Sequence, residues 1–364
     1  MKLHAPKRPP HPYPALDVSD VCFMSGACLL RNLAGRPFPT KYHDPDKEKE
    51  FQRADGEICK AAGEPFPDGT RFTRVQPPHP HGLVGYFARL MHLNAADACD
   101  ELAMNPFVSS ATPFEFIFSC HSDHLAIARI APGTDVEGPA MRVAVLEETL
   151  SRRLNFAWDS SLGFLTSSPD SVGTGFKAFR MMHLEGLHEI GELEASLHGL
   201  AAMRIKVRSV ELDGFNGAGH IFMLSNGRTL GLSESELLAG FQAATDALAE
   251  QEINARMRLA GELNIVLSDT VRRAIAIMQN CRMISTTEAL DVLSPVRMAA
   301  SMGFVSGASL EELDRAMLGI SPDSGEAAGM TPDECDAADA ARATELRPLA
   351  MRLAPNVRGR RSLQ

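Results

Sequence analysis

Several features that would assign the chain to a special class of protein are missing from its sequence. Its seven cysteines are widely spaced and form no CxxC pair, which argues against a zinc site or a disulfide framework and indicates reduced thiols. No apolar run approaches the roughly 20 residues that span a bilayer, and the basic N-terminus lacks the apolar segment of a signal peptide. The net charge of −10 and the scattered basic residues argue against a nucleic-acid partner. We therefore expect a cytoplasmic protein with neither nucleic acid nor membrane as partner, and no bound metal.

The length of the chain favours two domains, because 364 residues are more than one hydrophobic core usually serves. Residues 1–18 are rich in proline and histidine and are predicted to form an irregular N-terminal arm. Residues 19–255 mix strand-like and helix-like patterns, whereas residues 256–364 show helical patterns alone. The pattern thus predicts an α+β domain followed by an all-helical C-terminal domain.

Hydrophobic periodicity locates the elements within these domains. Strands are predicted at 114–120, 125–130, 203–213 and 220–226, and a helix at 139–154. A long helix is predicted to begin after Thr229, with Ser233 or Ser235 as its N-cap. The C-terminal helices are predicted at 269–280, 286–302, 309–318 and 333–352.

Four sequence blocks carry more information than the periodicity. Residues 28–39 read CLLRNLAGRPFP, residues 123–125 read DHL, residues 163–174 read GFLTSSPDSVGT, and residues 219–226 read GHIFMLSN. In this order and at these separations they resemble motifs of the guanidino phosphotransferase (phosphagen kinase) family. Each block alone would be weak support, but all four together are specific.

The C-terminal region narrows the resemblance. Residues 284–290 (ISTTEAL) and 293–297 (LSPVR) are similar to the helical domain of bacterial protein-arginine kinases, which animal phosphagen kinases lack. The resemblance covers roughly residues 18–350. It implies a large antiparallel sheet flanked by helices, followed by an all-helical C-terminal domain, and MgATP as the family's nucleotide.

The family binds nucleotide phosphates with five arginines, whose planar guanidinium groups bind phosphate bidentately and stay charged. The resemblance places Gly26, Cys28, Ala126, Lys177 and Glu211 at these five positions. With Lys177 as +1 and Glu211 as −1, the formal charge of the set falls from +5 to 0. The nucleotide-phosphate site is therefore predicted to be degenerate.

The positions of the catalytic groups are also altered. Ser122 stands where the family has the glutamate that holds the substrate guanidinium, and His121 stands at the neighbouring glutamate. Ser168 replaces the active-site cysteine, and Asn216 aligns near a second acidic residue on a loop. Other motif residues are retained, namely Arg31, Asn32, Asp123, His124, Gly173, Thr174, Ser225 and Asn226.

The bacterial kinases also bind phosphoarginine in the helical domain through an Arg-Asp-x-x-Arg motif. The corresponding stretch here runs from Cys335 through Asp336 to Asp339, so the aspartate remains while both arginines are replaced. This second recognition site is predicted to be degenerate as well.

The magnitude of these losses favours a pseudokinase, a binding or regulatory protein that needs no cofactor. Four lost charge-assisted contacts of roughly 1.5–3 kcal/mol each correspond to about four powers of ten or more in affinity. The loss of the positioning carboxylate would lower the rate by a further factor of about 10²–10⁴. The resemblance implies an active arginine kinase, its activator, or an unfoldase–protease machine as partner, and a homodimer formed through the C-terminal helices.

Two other hypotheses stay open. The chain could be an active ATP:guanidino phosphotransferase whose phosphates, with MgATP as ligand, are held by replacement residues such as Lys177, Arg129 or Arg208. It could also be a repurposed enzyme that uses Cys120 or His124 on another substrate. A metal site at His121 and His124 lacks an identifiable third ligand, and a polar turn is the simpler interpretation.

Overall fold

The computed structural model describes residues 16–39, 48–74, 107–109, 111–112, 114–119, 123–209, 211–212, 215–262, 264–320 and 331–356. Most of the predicted arm at 1–18 lies outside these residues. Its last residue, Val18, begins a short 3-10 helix, Val18–Asp20, which is capped by Asp17.

An eight-stranded antiparallel sheet forms the centre of the protein, in the order β2-β3-β4-β5-β1-β8-β12-β9. Its strands are β1 Cys22–Arg31, β2 Phe72–Arg74, β3 Phe107–Ser109, β4 Glu115–Ser119, β5 Leu125–Pro132, β8 Phe176–His183, β9 Ile205–Ser209 and β12 Ile221–Asn226. All ten residues of β1 are buried, as expected for a strand with neighbours on both sides and cover on both faces. The large antiparallel sheet predicted from the sequence is confirmed.

Six short strands form three further two-stranded sheets. These are β6 Trp158–Asp159 with β7 Gly163–Phe164, β10 Glu211–Leu212 with β11 Phe215–Asn216, and β13 Val305–Ser306 with β14 Ala354–Pro355.

Nine helices are described: α1 Glu48–Gly63, α2 Glu137–Ser151, α3 Glu185–Glu189, α4 Leu193–Ala202, α5 Glu234–Glu262, α6 Asn264–Asn280, α7 Thr286–Ser301, α8 Leu310–Gly319 and α9 Pro332–Arg352. The four predicted C-terminal helices are therefore confirmed as α6 to α9. Ser233 precedes α5 and its Oγ accepts a hydrogen bond from Glu236 N at 3.3 Å, which confirms it as the N-cap. α5 passes continuously through residues 255 and 256, where the domain boundary was predicted.

The hydrophobic core lies on both faces of the sheet. One face packs against α2 and α5, and its Arg180 donates to Thr245 Oγ1 of α5 at 2.8 Å. The other face joins a second core that continues into α6, α7 and α8. The helical C-terminal region thus covers part of the same sheet face that carries the predicted phosphate positions.

Candidate functional site

The strand register brings four of the five predicted phosphate positions onto one face of the sheet. Cys28 of β1 pairs with Lys177 of β8, and Leu30 pairs with Ala126 of β5. Because side chains alternate along a strand, Gly26 and Cys28 share a face with these cross-strand partners. We call this surface the site face. Glu211 lies in β10, and its side chain is outside the described part of the structure.

At Gly26 the site face has no room for a side chain. A Cβ atom added there would lie 2.3 Å from Phe179 Cζ and 2.5 Å from the carbonyl oxygen of Arg129. The phenyl ring could rotate away, but the carbonyl belongs to the neighbouring strand β5. A side chain at this predicted phosphate position would therefore require the backbone of β1 or β5 to shift.

The rest of the site face around Gly26 is apolar. Phe116, Phe118, Ile130 and Phe179 are each at most 3% exposed, and Cys28 is fully buried. Burial raises the pKa of the Cys28 thiol to about 12, so it is neutral. A surface of this kind gives no polar contact to a phosphate.

Basic side chains lie at the β9 end of the site face. The pairing of β9 with β12 and of β12 with β8 places Lys206 and Arg208 on the same face as Lys177. Burial lowers the pKa of Lys177, and the charges of Lys206 and Arg208 lower it further, against the raising effect of Cys28 and Asp123. Lys206 Nζ is 2.7 Å from Asp170 Oδ2, so this cation already has an anionic partner.

Arg129 lies on the opposite face of the sheet from these basic residues. It pairs with Ala27 of β1 and with Glu115 of β4, one residue out of phase with the site face. Its Nη1 is 3.7 Å from Glu115 Oε1, and Glu115 also accepts from Arg142 Nε at 2.8 Å. Arg129 therefore cannot serve as a replacement phosphate ligand beside Lys177.

The retained motif residues form a buried hydrogen-bond network. Asn32 Nδ2 donates to Asp123 Oδ1 at 2.7 Å, and Asn32 Oδ1 accepts from His124 N at 2.8 Å. Ser167 N also donates to Asp123 Oδ1, at 2.7 Å. The network ties the end of β1 to the segment before β5 and to the loop after β7, so these residues serve the fold.

His124 is held neutral within this network. Its Nδ1 accepts a hydrogen bond from Leu33 N at 3.2 Å, and burial together with the charge of Arg36 lowers the pKa of the imidazole to about 4. Burial raises the pKa of Asp123, against the lowering effect of the bonds from Ser167 and Asn32. The other ring nitrogen of His124, Nε2, is buried and has no hydrogen-bond partner among the described residues.

Other retained residues hold the strands and the glycine turn together. Arg31 is 2% exposed, donates to Glu147 Oε1 at 2.9 Å and to Thr174 O at 2.8 Å, and stacks on Phe164. At Gly173, with φ of 112°, an added Cβ would lie 3.0 Å from Leu230 Cα. These contacts explain the motif without a ligand.

Asn226 and Ser225 end strand β12. Asn226 Oδ1 accepts from Ala178 N at 2.7 Å and its Nδ2 donates to Phe176 O at 3.0 Å, which extends the pairing with β8. Ser225 is half-buried on the site face opposite Phe179.

The predicted catalytic positions are only partly described. Ser168 precedes a short 3-10 helix, Pro169–Ser171, and its carbonyl accepts from Thr166 Oγ1 at 2.8 Å. Ser122, with Cys120 and His121, lies outside the described residues, and Asn216 is described only as part of β11.

In the helical region, the predicted phosphoarginine positions lie on α9. Asp339 Oδ1 accepts from Arg342 Nη1 at 2.7 Å, and the same nitrogen donates to Ile284 O at 2.6 Å. Cys335 and Asp336 lie one turn earlier, near the start of the helix. Sequence reasoning overlooked Arg342, although its spacing of three residues from Asp339 is a signal for a helical ion pair.

A buried polar cluster between the sheet and the C-terminal helices was also overlooked. Arg256 of α5 and Arg297 of α7 are fully buried and both donate to Asp20 O, at 3.1 and 2.8 Å. Arg256 Nε donates to Glu252 Oε1 at 2.7 Å. A sequence signal for this cluster exists, because Arg256 of α5 and Arg297 of α7 are charged residues within otherwise apolar helix stripes.

Within the described part of the chain, no group of three or more histidine, cysteine or acidic side chains could hold a metal ion. Over the same residues, no helix is long and apolar enough to cross a membrane. The five described cysteines, Cys22, Cys28, Cys59, Cys281 and Cys335, are free thiols.

This sheet, with its motif network and C-terminal helices, is that of a guanidino phosphotransferase. The family model for the ATP:guanido phosphotransferase C-terminal catalytic domain matches residues 107–255 of this chain. The family model for the protein-arginine kinase McsB C-terminal domain matches residues 264–356. The protein-arginine kinase of Symbiobacterium thermophilum is 32% identical over 305 residues, covering 84% of this chain and 86% of the relative. That of Geobacillus stearothermophilus is 29% identical over 312 residues, covering 84% and 83%. The chain therefore belongs to the protein-arginine kinase branch of the ATP:guanido phosphotransferase family.

A solved structure supports the fold alone. The duplicated taurocyamine kinase of Schistosoma mansoni, with bound transition-state analogue components, superimposes with a TM-score of 0.53 at 17% identity. The match covers 73% of this chain and 40% of the duplicated enzyme, so the chain spans well under two thirds of that protein.

Proposed function

We propose that this chain is a catalytically degenerate protein-arginine kinase homologue, a pseudokinase that acts as a binding or regulatory protein. The observation that carries the proposal is the closed backbone at Gly26, where a Cβ would lie 2.5 Å from the Arg129 carbonyl oxygen. An arginine at this position would require β1 and β5 to separate. This geometry supports a site that has diverged in shape as well as in charge.

The apolar site face supports the same proposal. Phosphoryl transfer depends on positioned charge around the phosphates, and the buried rings of Phe116, Phe118 and Phe179 offer none. Desolvating the phosphates against these rings without compensating hydrogen bonds would be strongly unfavourable.

One observation favours a second function, an active guanidino phosphotransferase. Lys177, Lys206 and Arg208 share the β9 end of the site face, so a nucleotide phosphate could be held there rather than at the family positions. This function requires both MgATP binding and phosphoryl transfer.

Phosphoryl transfer tests the two functions directly. The purified full-length chain is incubated with radiolabelled MgATP and an arginine-rich protein, with the Symbiobacterium thermophilum kinase as positive control. The pseudokinase proposal expects no acid-labile phosphoarginine above background. Labelling that disappears in Lys177→Met and Arg208→Met, but persists in the Arg129→Met control on the opposite face, would establish the alternative.

We propose that this pseudokinase has a protein as its partner. From family membership we propose an active arginine kinase, its activator, or an unfoldase–protease machine in the cytoplasm. We also propose a homodimer through the C-terminal helices, because Ile265 and Val266 at the start of α6 are 83% and 52% exposed. No nucleic-acid partner is proposed.

A further inference from the structure

The turn that follows β11 is fixed to α7 by its backbone. Gly219 N donates to Asp291 Oδ1 at 3.0 Å, and Gly219 O accepts from Ser294 Oγ at 2.9 Å. The next residue, His220, has a φ of 51°, which is unfavourable for a residue other than glycine. The segment from Gly217 to His220 is therefore a strained turn that depends on outside contacts, and it directly follows Asn216.

The side chain of His220 supplies the strongest of these contacts. Its Nδ1 is 2.5 Å from Glu185 Oε2, and its ring stacks on His188 with 3.7 Å between the centroids. Glu185 is 3% exposed, and Ser294 Oγ shares its single proton between Glu185 Oε2 and Gly219 O. Ser294 Oγ is in turn 2.7 Å from His183 Nε2, so the contacts of the turn lead into the buried cluster between sheet and helices.

The titratable groups around His220 come from three elements. α3 contributes Glu185, His188 and Glu189, α7 contributes Asp291, and β8 contributes His183. Burial alone would lower the pKa of His220, but the hydrogen bond and charge of Glu185, with Asp291 and Glu189, raise the pKa above the ordinary 6.5. The burial of His183 and the nearby charges of Arg297 and Arg256 lower its pKa well below 6.5, so it stays neutral.

We propose that His220 is a pH-sensitive latch, which in its protonated form fixes the turn from Gly217 to His220 to α3 and α7. The ion pair with Glu185 is complete below pH 6.5, because a histidine with a raised pKa is stabilised in its charged form. The contribution is lost as the pH rises through the raised pKa. The Nδ1–H tautomer of the neutral imidazole can still donate to Glu185, but the buried carboxylate has lost the positive charge beside it, so the strain at His220 is less well compensated. This latch is independent of whether the chain binds a nucleotide.

Amide hydrogen exchange on the full-length protein, measured by NMR between pH 5.5 and 9, tests the latch. The probes are the amides of Gly219, which donates to Asp291, and Leu184, which donates to His220 O at 2.9 Å. After correction for intrinsic exchange, protection at Gly219 should fall roughly ten-fold, or about 1.4 kcal/mol, as His220 loses its proton. The His220 Cε1 proton in the same samples reports that titration directly.

Three variants separate the latch from a purely structural role. His220→Asn tolerates the left-handed backbone but carries no charge, so protection should be low and independent of pH. Glu185→Gln should lower the pKa of His220, because burial then dominates. His198→Asn, at an exposed position on α4, should behave as wild type.

The proposal is overturned if His220 in the wild-type protein titrates at or below pH 6.5. It is equally overturned if protection at Gly219 stays constant through the titration of His220. Both of these readouts come from the wild-type chain and hold even if a variant fails to fold.

Discussion

At the scale of single residues, Gly26 decides what the site face can hold. The motif alignment predicts that an arginine of the family is missing at this position, because that inference needs only sequence order. It could not identify the obstruction by Phe179 and the Arg129 carbonyl, because these atoms come from β8 and β5 and reach Gly26 only through strand register.

Substitution of Gly26 by alanine should destabilise the fold by about 1–3 kcal/mol, as for an overpacked core. The expectation follows from contacts of 2.3 and 2.5 Å that an added Cβ would make. Urea denaturation of the purified variant measures the free energy of unfolding.

The matched control is Gly56→Ala, an exposed position in α1 with no atom within 4 Å of an added Cβ. Alanine there should stabilise the helix by about 0.5–1 kcal/mol.

Combining Gly26→Ala with Phe179→Ala should remove the clash with the phenyl ring but leave the clash with the Arg129 carbonyl. A Gly26→Ala protein as stable as wild type would show that β1 can accept a side chain.

A second residue-scale prediction concerns pH. Because burial lowers the pKa of His124 to about 4, the unfolded chain binds a proton between pH 6.5 and pH 4 that the folded chain does not. The free energy of unfolding should therefore decrease as the pH is lowered across this range. His124 should contribute about 2 kcal/mol to the decrease between pH 7 and pH 5.

Urea denaturation at these two pH values measures the effect, which His183 also shares in the wild-type protein. The His124→Asn variant should be less stable than wild type at both pH values. Between pH 7 and pH 5, however, its free energy of unfolding should decrease by about 2 kcal/mol less than that of wild type. His198→Asn, exposed on α4, should keep the wild-type pH dependence. Equal slopes for His124→Asn and wild type would contradict a buried neutral imidazole.

At the scale of elements, periodicity located the helices well. The segments predicted at 269–280, 286–302, 309–318 and 333–352 match α6 to α9 closely, because each has an apolar stripe and three begin at a Ser or Thr cap. The buried charges that join α5 and α7 to the sheet were not predicted, since a charged residue in a helix is usually exposed.

Substitution of Arg256 by methionine tests how much the buried ion pair between Arg256 and Glu252 contributes to stability. The change leaves Glu252, which is fully buried and also accepts from Gly186 N, with an uncompensated charge. The free energy of unfolding should fall by about 3–5 kcal/mol. Thermal and urea denaturation of the full-length chain measure the loss.

Arg273→Met is the matched control, because Arg273 and Asp269 form a helical ion pair of the same spacing that is 70% and 72% exposed. That substitution should change stability by less than about 0.5 kcal/mol. If Arg256→Met and Arg273→Met lower the free energy of unfolding equally, the buried ion pair stabilises the protein no more than an exposed one.

At the scale of the whole molecule, the sequence alone predicts both the architecture and the family. Four ordered motifs and the C-terminal similarity predicted the antiparallel sheet and helical region, and both are confirmed. The grouping of basic side chains at one end of the site face could not be predicted from the sequence. Lys177, Lys206 and Arg208 share this face only because of the register of three strands.

The central claim, that the site no longer holds a nucleotide, is tested most directly by titration calorimetry of the full-length protein with MgATP. The Symbiobacterium thermophilum kinase, 32% identical, is the positive control. We predict no binding at submillimolar MgATP, because the motif alignment leaves four of the family's arginine positions without an arginine, each a contact of roughly 1.5–3 kcal/mol, and because a side chain at Gly26 would clash with the Arg129 carbonyl. A micromolar dissociation constant that weakens in Lys177→Met would contradict the account.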